Sequence, residues 1–257
     1  MSINFEKRGS IAVITINRIE ALNAMDPQTY RELSTAWVEV RDNPDIWVAI
    51  ITGAGDKSFT VGADLKKTIP MEEEHWEFWK TQNNQLLNSG LEVWKPVIAA
   101  VNGYCLGGGM TLLLATDIRI ASENATFGLS EVKRGLLPGN GGTQRTLRQL
   151  PYPIAMELLL TGDSINAEDA LRFGLINKVV PQDELMDTAM NYAFRICENG
   201  PLAVRAIKEL SIRSQYMHFQ DGLRMETAMQ KILKQTDDAI EGPLAFAEKR
   251  QANFKGK

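Results

Sequence analysis

Cysteine and histidine are scarce in this chain, with two of each in 257 residues. Cys105 and Cys197 stand 92 positions apart, with none of the paired spacings that mark a metal or redox motif. Cys105 reads as a small buried hydrophobe. His75 and His218 are equally isolated, so a histidine-based triad or a His/Cys metal site has no support. No apolar stretch approaches the roughly 20 residues of a membrane-spanning helix. Met1 to Gly9 lacks the apolar core of a secretory signal and carries Glu6, which makes a cytoplasmic location the simplest expectation. Positive charge is not in excess: the net charge of −4 argues against a nucleic-acid surface, although a local basic patch is compatible with an anionic cofactor.

What is present describes an ordinary globular protein, with 44% hydrophobic and 23% charged residues. The length suits one large domain, or a domain with a modest appendage. Apolar strand patterns alternate with helical periodicities, as an α/β protein requires, and no low-complexity linker interrupts them. Ile11 to Ile16 is the first strand expected. Asp26-Pro27 reads as an N-cap followed by proline at the first helical position, and Tyr30, Leu33, Trp37 and Val40 form one core-facing stripe before Asn43-Pro44 ends the helix. Asp117 to Ala121 predicts another strand, and Leu185, Ala189, Tyr192 and Ile196 a later helix. From about Cys197 strand signals disappear. The last 60 or so residues read as helices separated by Gly200-Pro201 and Gly242-Pro243. Two parts are therefore expected, 1–196 and 197–257. The apolar positions of the second, among them Leu202, Ile207, Leu210, Leu223, Met225, Met229, Ile232 and Leu233, are too many for a lone helical tail to leave in water.

The most informative stretch runs from Lys95 to Arg145. Pro96-Val97-Ile98-Ala99-Ala100-Val101 reads as a buried strand, and Gly107-Gly108-Gly109 leads into a helix at Met110 to Ala115. Glycines at a helix start either permit tight packing or let a substrate approach free backbone N–H groups. A second candidate turn, Phe59-Thr60-Val61-Gly62-Ala63-Asp64-Leu65, follows the strand pattern Trp47 to Thr52. Two such turns can each offer one N–H to the same carbonyl oxygen, as an oxyanion hole requires. Sequence alone does not pair them.

Several motifs then occur in order: Ala21-Leu22-Asn23-Ala24, Phe59 to Leu65, Lys95 to Gly103 with Gly107 to Gly109, Phe127-Gly128-Leu129-Ser130-Glu131, Pro138 to Arg145, Leu160-Thr161-Gly162, and Ala245 to Phe254. Each is weak alone, but their order and spacing are specific. On them the chain resembles the crotonase, or enoyl-CoA hydratase/isomerase, superfamily over nearly its whole length. The resemblance implies a crotonase-type spiral of ββα units, with the C-terminal helices forming trimers that often pair into hexamers. It implies that the thioester carbonyl of an acyl-CoA is held by the backbone N–H groups of Ala63 and Gly108, with no permanent cofactor or metal and no nucleic-acid or membrane partner. It also implies coenzyme contacts from Ala24, Val61 and, on the terminal helix, Phe246 and Lys249.

The same resemblance exposes a departure. The family's hydratases carry one glutamate three residues after the central glycine of the triplet and another in the Phe-Gly-x-x-Glu segment. Here Glu131 is kept, and Thr111 stands in the first position. Thr111 is no general base at neutral pH, but its hydroxyl can position a water; taken apart from the motif, such a threonine bonds the carbonyl one turn back. Glu131 is left as the strong acid/base, best served by a partly apolar pocket that raises its pKa, and Gly139 is placed to add a backbone donor. A single carboxylate beside an oxyanion hole also suffices for a double-bond shift, and hydratase-lyase chemistry fits a small hydroxyl residue. Hydration or dehydration is the leading expectation; isomerisation, lyase chemistry and a catalytically weak acyl-CoA-binding subunit are the alternatives. The acyl pocket is expected between Lys66 and Trp94, from Met71, Trp76, Phe78, Trp79, Leu86, Leu87, Leu91 and Trp94, with Glu72 to Glu74 a solvated helix start.

Overall fold

A computed structural model of the protein describes residues 1–68 and 85–257. Among the described residues, ten strands fall into two sheets: β1 (Ile3–Arg8), β2 (Ile11–Ile16), β3 (Val48–Gly53), β4 (Ser58–Thr60), β5 (Val97–Val101), β6 (Tyr104–Leu106), β7 (Ile118–Ser122), β8 (Thr126–Gly128), β9 (Ser164–Asn166) and β10 (Lys178–Val180). The larger sheet has the order β1-β2-β3-β5-β7-β10 and the smaller β4-β6-β8-β9. Successive strands alternate between the two, β3 then β4, β5 then β6, β7 then β8. Helices follow these pairs: α1 (Pro27–Asp42) precedes the first, and α2 (Leu65–Thr68), α3 (Gly108–Leu113) and then α4 (Gly142–Gln149), α5 (Tyr152–Thr161) and α6 (Ala167–Arg172) come after. The repeating strand–strand–helix turn is the expected ββα spiral.

Period-two alternation explains how the larger sheet is buried on both faces. Ile11, Val13, Val48, Ile50, Ile98, Ala100 and Ile120 form one core with Leu185, Ala189 and Ala193 of α7 (Leu185–Cys197). The intervening residues Ala12, Ile14, Ile16, Ala49, Ile51, Val97, Ala99 and Val101 form the other, with Leu33, Trp37 and Val40 of α1. Helix α1 begins as its sequence requires. Asp26 accepts from Thr29 N (2.9 Å) and Thr29 Oγ1 (2.8 Å), and Pro27 takes the first helical position. Strand β1 was not expected; it is an antiparallel edge strand whose exposed Glu6, Lys7 and Arg8 give no apolar alternation.

Beyond α7 the chain forms α8 (Pro201–Arg213), α9 (Phe219–Leu233) and α10 (Asp237–Ala247). Gly200-Pro201 starts α8 as expected, whereas Gly242-Pro243 lies inside α10 and separates nothing. The break falls instead before Thr236, whose hydroxyl accepts from Ala239 N (3.2 Å) and caps the helix. Among the described residues no helix is long and apolar enough to cross a membrane.

Trp37 is fully buried at the centre of the α1 contact. Trp37→Ala is expected to cost about 3–5 kcal/mol, measured as a lowered urea midpoint with an unchanged slope.

Candidate active site

The loop joining β3 to β4 is held by two asparagines. Asn102 accepts from Gly53 N (3.2 Å) and donates to Gly53 O (2.9 Å) and Gly55 O (2.7 Å). Buried Asn23, at φ +57°, donates to Ala54 O (3.0 Å) and Ser58 O (2.7 Å). This fixes where β4 emerges, and so where Val61-Gly62-Ala63 lies. Met25 then bridges the segment, donating to Gly62 O (2.7 Å) and accepting from Asp64 N (2.9 Å). Extended backbone alternates its polar groups, so the Ala63 N–H between them faces away from Met25.

The glycine triplet meets that face. Neither strand pattern runs directly into its glycine turn, because the three-residue strands β4 and β6 intervene, too short to show a period. Gly107 N donates to Gly128 O (2.9 Å), which brings the Phe127 to Glu131 segment alongside. A Cβ on Gly62, itself at φ +88°, would stand 2.5 Å from Gly108 N; one on Gly109 would stand 2.3 Å from Thr60 O. Gly109 therefore serves close packing of the helix start against β4. As the first residue of α3, Gly108 has no intrahelical acceptor. Neither its N–H nor that of Ala63 donates to a described residue. A Cβ on Gly108 would lie 3.5 Å from Ala63 N, so the two amides border one small space.

Glu131 enters from the 3-10 turn Ser130–Arg134 after β8. Its Oε1 is 3.3 Å from the position of a Cβ on Gly107, and its Oε2 is buried without a hydrogen-bond partner. Burial raises its pKa above the ordinary 4.5, opposed by its own backbone N–H and the charge of Arg134. Thr111, buried on α3, donates to Gly108 O (3.0 Å), one turn back, and accepts from Asn88 Nδ2 (3.1 Å). With its proton committed, the hydroxyl keeps one lone pair. Its methyl faces the Pro138 to Gly142 turn, where a Cβ on Gly142 would come within 3.0 Å. Gly139 is exposed in that turn, with open space where a side chain would be.

Two residues of this cluster were not anticipated as polar members of it. Asn88 sits among Leu86, Leu87 and Leu91, which join the core, and only the fold shows that its carbonyl accepts from Arg145 (3.1 Å) while its amide reaches Thr111. Tyr30 belongs to the apolar stripe of α1, yet its hydroxyl lies 3.4 Å from the Cβ position of Gly108. Ala24 is buried and its carbonyl accepts from the Arg18 guanidinium; Val61 is half-buried. Phe246, 85% exposed, and Lys249, at φ +55°, are turned to solvent, so one chain does not fold them onto the cluster. Met71, Trp76, Phe78, Trp79 and Glu72 to Glu74 lie outside the described residues. A cleft of about 460 Å³ opens behind Asn88, bounded by Arg145, Arg148, Lys208 and Tyr216, and does not include Glu131.

Two outcomes follow from this geometry. Gly62→Ala forces a Cβ onto Gly108 N and is expected to lower any activity of the site at least about 100-fold, the scale of losing one oxyanion donor, in an assay beside a melting curve that shows the fold intact. Glu131 has a raised pKa in the folded state, so its stability contribution is complete below the unfolded value and falls as pH rises through the folded one. Glu131→Gln should therefore melt higher than the wild type at pH 7.5, with the gap closing toward pH 4.

Comparison with known proteins identifies the family of the chain. The family model for enoyl-CoA hydratase/isomerase matches residues 6–257. The chain is 42% identical to an (E)-benzylidenesuccinyl-CoA hydratase of Thauera aromatica over 256 residues, covering 100% of both chains. It is 41% identical to a carnitinyl-CoA dehydratase of Escherichia coli (strain K12) over 262 residues, covering 100% of this chain and 99% of the other. The solved structure of an enoyl-CoA hydratase from Bacillus anthracis superposes with a TM-score of 0.92 at 35% identity, covering 100% of each chain. With its strand–strand–helix spiral and its two facing glycine turns, the chain belongs to the enoyl-CoA hydratase/isomerase family of enzymes.

Proposed function

We propose that this enzyme adds water to, or removes it from, the double bond of an enoyl-CoA. One observation carries the reading: the free amides of Ala63 and Gly108 border one space, and the Glu131 carboxyl stands against the adjoining Gly107. A thioester oxygen placed between the amides is polarised. In the hydration direction, ionised Glu131 takes a proton from water as the oxygen bonds to the β-carbon, and the π electrons move onto the thioester oxygen as an enolate. Glu131 then returns that proton to the α-carbon, so the product gains H and OH with nothing left over. Two aligned amides stabilise the charge where it develops, and a carboxylate with a raised pKa exchanges protons more readily near neutrality.

Thr111 replaces the other acid/base of the family pattern. Its remaining lone pair accepts a hydrogen bond from the attacking water, whose proton goes to Glu131, and Asn88 and Gly108 O fix its orientation. Gly139 contributes a backbone donor at the reacting carbon. The names of two relatives, a hydratase and a dehydratase, favour water chemistry over the double-bond shift that a single carboxylate also permits. The backbone of Val61 lies at the adenine of the coenzyme, and Ala24 lies close to its nucleotide or pantetheine arm. Phe246 and Lys249 reach the nucleotide of a neighbouring subunit, which gives the C-terminal helices their role: α9 buries none of its residues in one chain, and Phe219 and Ile232 are exposed on it. The assembly is a homotrimer, or two trimers paired as a hexamer, divided near residue 196 into catalytic core and association helices.

A panel of enoyl-, 3-hydroxyacyl-, branched and cyclic acyl-CoA esters read by mass spectrometry tests the reaction. A gain or loss of about 18 mass units supports water chemistry, in which the proton passes between water and the α-carbon, and unchanged mass supports isomerisation, in which it passes between two carbons. Glu131→Gln is expected to reduce turnover at least about 100-fold; equal rates would remove Glu131 from the mechanism. In the wild type, kcat/KM for hydration should fall as pH drops through a value above 4.5. Thr111→Glu should raise hydratase activity if the pocket keeps the familiar geometry. Light scattering during gel filtration is expected to give three or six copies.

A further inference from the structure

Tyr30 sits on α1 in a stripe whose other members, Leu33, Trp37 and Val40, are wholly buried. Its ring packs against the same core, but its hydroxyl emerges at the other end of the contact. The point where a Gly108 Cβ would stand is 3.4 Å from Tyr30 Oη and 3.5 Å from Ala63 N. Since residue 108 is glycine, no side chain comes between the Tyr30 hydroxyl and the two amides. Around that point are the Gly108 amide, the Ala63 amide and the Tyr30 hydroxyl.

The hydroxyl makes no hydrogen bond to a described residue. Tyr30 is half-buried, its ring packed on the core and its hydroxyl left free to donate at the edge of that space. Burial, together with the charge of Glu131, pushes the phenol up to about 12. Tyr30 therefore keeps its proton throughout the neutral range and acts as a donor, not a base. The acceptor that fits the space is an oxygen gaining negative charge beside two other donors.

We infer that Tyr30 is a catalytic residue, its hydroxyl the third hydrogen-bond donor to the thioester oxygen beside the amides of Ala63 and Gly108. The inference rests on the acyl-CoA reading above. No proton is transferred from the phenol: the oxygen gains charge as the π electrons arrive and returns it as the α-carbon is protonated, while Tyr30 donates throughout.

Tyr30→Phe removes the donor and keeps the ring in the core. Two measurements are made on the intact protein: turnover of the best ester from the panel, and the carbonyl stretch of bound butyryl-CoA labelled with ¹³C at the carbonyl, by difference infrared spectroscopy. The expected result is a kcat reduced about 100-fold or more, with the carbonyl frequency moved part of the way back toward that of the free ester and a melting temperature close to wild type. Unchanged turnover and unchanged frequency would overturn the inference. So would reduced turnover with an unchanged frequency, since Tyr30 would then act through Glu131. The saturated ester does not react, so a wild-type enzyme that hydrates nothing, yet polarises the carbonyl through Tyr30, sinks the hydration proposal alone; one that binds no ester sinks both.

Discussion

The near-contact of two backbones, Gly62 and Gly108, is the constraint on which the site depends. Neither position has room for a Cβ without displacing the other strand of the contact: a side chain at 62 would overlap Gly108 N, and one at 108 would crowd Gly62 Cα at 3.3 Å. Because both are glycine, two turns from different units of the spiral close on one small space, each with an amide left unspent. Everything polar around that space is arranged on this contact. Gly107 ties the Glu131 segment through Gly128 O, and Gly109 presses α3 onto Thr60. The contact is made backbone against backbone, which fixes the two amides relative to each other, as preorganised dipoles require.

Holding the first turn in place takes a buried polar network. Arg18 lies 3.2 Å from Asp64 and 3.4 Å from Asp26, and Lys67 donates to Asp26 at 2.8 Å. Burial alone would raise the Asp26 pKa, but hydrogen bonds from Lys67 and Thr29 and the charge of Arg18 hold it well below the usual carboxylate range. Asp26 thus caps α1, the helix that carries Tyr30, while holding Lys67 directly and Asp64 through Arg18, both just after Ala63. Glu131 is the opposite case. It is desolvated with one oxygen unpaired, a destabilising environment for an ionised group that structural carboxylates avoid. An environment of this kind suits a group that exchanges its proton near neutrality.

The elements with long periodic patterns were legible. Strand β2 spans the expected residues, α1 starts at the expected cap, and α7 presents the expected apolar face. Three-residue strands were not, because they have no period to detect, and β1 was hidden by the charged residues of an edge. Gly242-Pro243 misled because proline within α10 was read as a boundary. In the site, Glu131, Thr111, Ala63 and Gly108 could be named from ordered motifs. Asn88 and Tyr30 could not, since each is a polar tip on a segment whose pattern is otherwise apolar.

The sequence by itself determined which atoms are available: the glycines whose missing side chains permit close approach, a single glutamate with a threonine where the family pattern has another, and an α/β alternation of apolar patterns. These are local properties, readable from neighbours along the chain. Only the tertiary structure decided which of those atoms meet. That the amide at 63 faces the amide at 108, that a helix 33 residues before Ala63 lends a phenol to the same space, and that Thr111 spends its proton on Gly108 O all depend on contacts between distant segments. Such contacts arise from sheet register and helix packing, which no window of residues contains.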